Sequence, residues 1–240
     1  KGIRVLSLAL NLPGPAALMR CRAMGATCVK LEPPSGDPMG LYNKPAYAQL
    51  HEGVKVITGD LKTAAGQKLL HRELAKADVL LTSFRPSALG KLGLDWKALH
   101  RQYPSLSQVA IVGAPGARAE EPGHDLTYLA DSGLVNDLAL PPTLYADMGG
   151  SLMASEAVLQ AMVTQRAKGK GVFIEVALAD ALESRLGEHI AFSRPKGGMF
   201  LWAHFRYSFD TMEWMKKTLA NGVVFVPGEA FYHDNPDTRT

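Results

Sequence analysis

Short apolar runs dense in β-branched residues alternate with stretches of helical period through the first half of this chain, and that alternation constrains its fold more than any other feature. In order the segments are IRVLSLAL, PAALMRCRAMG, TCVKLE, KVITGD, GQKLLHRELAKA, DVLLTSF, LDWKALHRQY and LSQVAIVG. They read as strand, helix, strand, strand, helix, strand, helix, strand. Strands so continuously apolar need cover on both faces, so the economical architecture is α/β: a Rossmann-like parallel sheet with flanking helices. In such a sheet the ligand belongs at the carboxyl ends of the strands. At 240 residues and 47% hydrophobic content the chain can bury one large core, or an ordinary core plus a smaller piece.

Several function classes drop out early. The first strand-to-helix turn, LNLPGPAAL, holds one glycine between two prolines. A nicotinamide dinucleotide site needs several glycines so that backbone can approach the pyrophosphate, so none is expected here. No G-x-x-x-x-G-K-[ST] occurs, which removes a P-loop nucleotidase. The 26 Lys and Arg against 23 Asp and Glu are spread without a basic tract, so nucleic acid is not an expected partner and an anionic small ligand is. Cys21 and Cys28 fit neither a redox pair nor a zinc knuckle and read as small buried hydrophobes in a reducing cytosol. The opening KGIRVLSLALNLPGP is too short before Pro13 to span a bilayer and lacks a small-residue cleavage site. It reads as the buried first strand of a cytoplasmic protein, with no membrane partner.

From Met148 the run MGGSLMASEAVLQAMVTQRAKGKG has helical spacing and ends in Lys-Gly repeats suited to a C-terminal cap. GVFIEVALAD follows as a further strand. After Asp180 the texture changes: ALESRLGEHI reads as helix, and SRPKGGMFLW and NGVVFVPGEAFY as strands with glycine turns. A boundary is therefore expected near Asp180, with residues 1–180 as the main domain and 181–240 as a small α+β fragment.

Two residues stand out as candidates for proton chemistry. His124 lies in GHDLTYLADSGLV, and Asp147 stands just ahead of the helical run. An imidazole with a pKa of about 6.5 and a carboxylate of about 4 can exchange protons near neutrality if the fold brings them together. The alternative for each is structural: Asp147 as the N-cap of its helix, and His124 satisfying backbone groups of a Pro-Gly-His-Asp loop. Arg85, just past the strand DVLLTSF, is placed to clamp a phosphate or else is a surface arginine, and Lys62 in TGDLK invites the same two readings. The remaining histidines, His51, His71, His100, His189, His204 and His233, show no H-x-x-x-H spacing, and no metal is expected.

Taken in order, LPGP at 12–15, VKLEPP at 29–34, GDLK at 59–62, SFRPSALGKLGL at 83–94, GHDLTYLADSGL at 123–134, ADMGGSLM at 146–153 and GKGVFIEVALAD at 169–180 resemble CoA-transferase family III. This family, also called CaiB/BaiF, includes acyl-CoA racemases as well as transferases. The resemblance implies a Rossmann-like domain that binds coenzyme A, an acyl-CoA substrate and an interlocked homodimer. It implies that Asp147 is the aspartate that carries the acyl group and then CoA in the transferases. In the racemases the same aspartate pairs with the histidine of G-H-D-[IL]-x-Y, matched by Gly123, His124, Asp125, Leu126 and Tyr128. Retention of His124 favours racemase-like exchange of the proton next to the thioester. Cofactor contacts are implied for Arg85, Lys62, Leu61 and Gly123. Pro33 stands where racemases often place an arginine, a departure at the 3′-phosphate contact. A fold assembled from only part of this family also allows an inactive CoA-binding remnant.

The end of the chain carries a second resemblance. RPKGGMFLW at 194–202 and GVVFVPGEAFYHDNPDTRT at 222–240 are similar to the small-domain end of fold-type-I aminotransferases. The lysine and phosphate cup that hold pyridoxal phosphate in those enzymes belong to a domain with no counterpart in this sequence, so that cofactor is not expected. The two resemblances together imply a chimeric chain joined near Asp180.

Overall fold

A computed structural model of the chain describes residues 2–131, 135, 140–180, 190–192, 203–205 and 210–219. The chain divides into two compact units, one of Lys1–Tyr128 with Thr143–Ala181 and the other of Leu129–Pro142 with Leu182–Thr240.

The first unit is built on six strands: β1 (Arg4–Ser7), β2 (Thr27–Glu32), β3 (Lys55–Thr58), β4 (Val79–Thr82), β5 (Ser107–Val112) and β6 (Phe173–Ala177). They lie in the order β3-β2-β1-β4-β5-β6, and every pairing is parallel. β4 and β5 are buried at every position, as the unbroken apolar runs require, whereas the edge strand β3 is mostly exposed. The core gathers Leu6, Leu31, Leu70, Leu80 and Leu99 from strands and helices alike. Cys21 and Cys28 are free and buried, and burial pushes their thiols up to about 11 and about 12, which leaves them inert.

Helices connect the strands. The helix α1 (Pro13–Ala23) begins with proline in its first turn, where the missing N–H costs nothing. Between β2 and β3, where the sequence reads strand directly after strand, the chain forms two short helices, α2 (Met39–Tyr42) and α3 (Lys44–Leu50). A parallel neighbour can be reached only by a crossover, so some such connection is compulsory. It escapes a periodicity reading because α3 buries none of its residues and so has no apolar stripe; what marks it is the cap, Asn43 Oδ1 accepting the Ala46 N–H at 3.2 Å. Next come α4 (Ala64–Leu74), α5 (Pro86–Lys91) and α6 (Trp96–Gln102), the first and last capped by Thr63 and Asp95. The long helix α8 (Tyr145–Lys168) ends at Gly169, whose φ of 70° makes the left-handed turn expected from the Lys-Gly repeat. It follows α7 (Asp125–Asp131). No described helix is long and apolar enough to cross a membrane.

In the second unit β7 (Ile190–Phe192) pairs antiparallel with β8 (Ala203–Phe205), and α9 (Thr211–Leu219) starts with Asp210 Oδ1 accepting the Glu213 N–H at 2.9 Å. Ile190, at the end of the stretch read as helical, is strand instead. The rest of that stretch lies outside the described residues, as do the whole of SRPKGGMFLW and the whole of NGVVFVPGEAFY.

Candidate functional site

From β1 the chain crosses to β2 on one side of the sheet, and from β4 it crosses to β5 on the other. The carboxyl ends of β1 and β4 therefore flank the point where strand order reverses, and a crevice must open there. A cavity of about 520 Å³ occupies it, lined by Asn11 after β1, Arg85 after β4, Gly113 after β5, and His124, Tyr128 and Asp147.

Asp147 is not the N-cap of its helix. The helix starts at Tyr145, so Asp147 lies in the first turn. Its own N–H donates to Asp125 Oδ1 at 2.9 Å, and the next amide, of Met148, donates to the Leu144 carbonyl at 2.9 Å. The half-buried carboxylate makes no hydrogen bond with any described residue. Burial and then the negative charge of the buried Asp125 push it up to about 6, while His124 pulls the other way. A carboxyl group poised there can both take and give a proton near neutrality.

His124 immediately precedes α7. Its carbonyl accepts the Thr127 N–H at 2.8 Å and its N–H donates to Thr127 Oγ1 at 3.3 Å, so the backbone of this residue does start the helix. The imidazole is not used for that purpose. It is exposed, lines the cavity and makes no hydrogen bond with any described residue. Gly123 is required for steric reasons: a Cβ there would lie 2.6 Å from Tyr128 Cε1. Tyr128 is buried beside it, and burial, followed by the charge of Asp147, raises its phenol.

The fold thus brings His124, Asp147, Arg85 and Gly123 together around one cavity. Arg85 is exposed at the start of α5 and takes part in no ion pair with a described residue. Lys62 and Leu61 lie outside the cavity, after the edge strand β3. Lys62 is exposed with its N–H on Asp60 Oδ1 at 2.9 Å, while Leu61 packs against the core. Among the described residues Glu32, Asp37 and His51 approach closely enough to hold a cation, and the cation they surround is the Lys30 ammonium.

Sequence reasoning gave no role to Asp125, Tyr128 or Asn11. The signal for the first two was their place in the G-H-D-x-x-Y run around His124. Nothing local marks Asn11, whose conformation depends on Asp37, 26 positions along the chain.

The sequence profile described as CoA-transferase family III matches residues 1–199, past the change of texture at Asp180. The chain is 31% identical over 208 residues to the cinnamoyl-CoA:phenyllactate CoA-transferase of Clostridium sporogenes, covering 78% of this chain and 50% of that protein. It is 30% identical over 190 residues to the α-methylacyl-CoA racemase of Homo sapiens, covering 75% of this chain and 48% of that protein. The chain thus spans about half the length of these relatives. A CaiB/BaiF family protein from Brucella suis, solved by crystallography, superposes with a TM-score of 0.72 at 26% identity, over 97% of this chain and 62% of that one.

Proposed function

This chain belongs to CoA-transferase family III, and from that premise we propose that it acts on acyl-CoA thioesters by exchanging the proton α to the carbonyl, with His124 and Asp147 as the exchanging pair. The observation that carries this reading is that an imidazole and a carboxylate line one cavity, neither engaged by a described residue, with the carboxyl raised to about 6. An acid and a base facing one substrate carbon are what inversion at that carbon needs: one group removes the proton, the other returns one to the opposite face. Arg85, without an ion-pair partner among the described residues at the same edge, is assigned to a phosphate of CoA, with Lys62 and Leu61 farther along the carboxyl edge beside its nucleotide end. Gly123 contributes by admitting Tyr128 to the cavity wall.

The alternative is CoA transfer between carboxylic acids through an aspartyl-CoA thioester on Asp147, with His124 structural. It is favoured by the likeness to transferases, and an ionised Asp147 with no hydrogen bond from a described residue suits a nucleophile. A third reading is an inactive chain that retains only CoA binding. The proposal includes a homodimer, for which the exposed Tyr145, Met148, Leu152 and Val163 of α8 offer apolar surface, and a cytoplasmic location, where CoA thioesters occur. A two-part origin, with an aminotransferase-like piece from about residue 181, stays part of it.

Incubation of isobutyryl-CoA with the full chain in deuterated buffer tests the reading. Deuterium is expected at C2 with wild type and is expected to fall by about 10²–10⁴ in His124→Ala. A hydroxylamine-sensitive adduct on Asp147, with no exchange at C2, supports the transferase instead. Calorimetric binding of CoA with neither reaction supports the inactive remnant.

A further inference from the structure

Abstraction of a proton next to a thioester moves the electron pair of the C–H bond into the carbonyl, and the oxygen becomes an enolate oxygen that needs a fixed hydrogen-bond donor. The start of α8 beside Asp147 is the natural source of such donors. Two of its amides are already committed, Asp147 N–H to Asp125 and Met148 N–H to Leu144. A side-chain donor in the cavity wall is the other source.

Asn11 lies in that wall, in the turn between β1 and α1. Among the described residues it is the one non-glycine with a left-handed backbone, at φ 63°. Asparagine tolerates that region better than most side chains, but it is sparsely populated and persists where the surroundings impose it. Here Asp37 imposes it. The Asn11 N–H donates to the two oxygens of the Asp37 carboxylate at 3.1 and 3.2 Å, and Asp37 Oδ1 also accepts the Met39 N–H at 2.9 Å.

Asp37 in turn is immobilised. Its side chain is wholly buried and paired with the Lys30 ammonium. That ammonium also meets Glu32 Oε1 at 3.0 Å and His51 Nε2 at 2.9 Å. An ammonium can only donate, so Nε2 accepts, the ring proton of His51 is on Nδ1, and it is given to the Tyr47 carbonyl at 2.7 Å. The Tyr47 hydroxyl donates to Glu32 Oε1 at 2.9 Å. Five side chains thus fix one another, and their outlet toward the cavity is the Asn11 backbone. The Asn11 carboxamide, by contrast, is exposed and makes no hydrogen bond with any described residue. Tyr42, another neutral donor in the lining, is 65% exposed and has no comparable anchor. Arg85 is charged and serves the phosphate.

We propose that Asn11 is a catalytic residue whose carboxamide N–H donates to the thioester oxygen as it becomes the enolate oxygen, and that Asp37 is the positioning residue that presents it. The inference rests on the acyl-CoA reading above. The proton leaves C2 for one member of the His124 and Asp147 pair, the electron pair rests on the oxygen held by Asn11, and return of a proton from the other member restores the thioester.

The test uses the full chain with isobutyryl-CoA in deuterated buffer, and CoA alone by calorimetry. Asn11→Gly keeps the backbone conformation, because glycine accepts it, and removes the side chain that carries the carboxamide. C2 exchange is expected to fall by about 10²–10³ while CoA affinity changes less than about threefold. Asp37→Asn is expected to slow exchange in the wild-type background and to add nothing in the Asn11→Gly background. A residue that merely stabilised the fold would slow both equally. Wild-type exchange undiminished in Asn11→Gly overturns this inference alone, as does a loss confined to CoA affinity, and additive effects of the two substitutions overturn the role of Asp37. No exchange by wild type overturns the functional reading and this inference with it.

Discussion

Two groups of ionisable side chains lie near one edge of this sheet, and they are built on opposite rules. Around Lys30, every charged or polar group has its partner: one ammonium, two carboxylates, a neutral imidazole and a phenol, nearly all out of water. Around the cavity, His124, Asp147 and Arg85 have none among the described residues. A buried network that is fully satisfied specifies a structure, whereas groups left unsatisfied at the mouth of a cavity are available to a ligand. In the proposed reaction the first cluster positions and the second exchanges the proton. Asp37 and Asn11 join them.

The largest effect that separates the two clusters is on folding. Lys30→Met leaves Glu32 and Asp37 buried without their cation, and urea denaturation is expected to show a loss of about 3–5 kcal/mol. A loss below about 1 kcal/mol in that experiment breaks the comparison, because it makes the Lys30 cluster as dispensable as an exposed pair.

A smaller effect sharpens it from the other side. Asp147 holds its proton up to about pH 6 in the folded chain, chiefly through burial, and to about pH 3.9 when unfolded. Between those values the folded state binds a proton that the unfolded state has lost, so this group favours folding most below about pH 4 and its contribution disappears as pH rises through 6. Asp147→Asn removes that dependence. Wild type is expected to lose stability relative to the variant by on the order of 2 kcal/mol between pH 4 and 7. Parallel stability curves for the two proteins contradict the unsatisfied state of Asp147.

The parallel sheet was legible in the sequence because fully buried strands leave no polar alternation: VLLT at 79–82 and SQVAIV at 107–112 are buried throughout. The pairing of His124 with Asp147 in one cavity was legible as well, through motif resemblance rather than through periodicity. What escaped had a physical reason in each case. The crossover helices α2 and α3 are too short and too exposed to write a 3.6-residue pattern. The N-cap alternative for Asp147 misses the observed cap, Leu144, by three residues because Leu144 and Tyr145 carry no capping signal, and α8 starts with no side-chain cap. The Lys30 cluster was invisible because a lysine and a glutamate within an apolar strand look like the solvated face of an edge; only the fold brings Asp37 and His51 over them.

One carboxyl group, that of Asp147, lines the cavity without a partner among the described residues. Selective ¹³C labelling of aspartate with an NMR titration, assigned by comparison with Asp147→Asn, reads that group directly. A titration near pH 6 that moves toward 4 in Asp125→Asn is the expected result. A titration already near 4 in wild type, unmoved by Asp125→Asn, shows a solvated or paired carboxylate and contradicts the account.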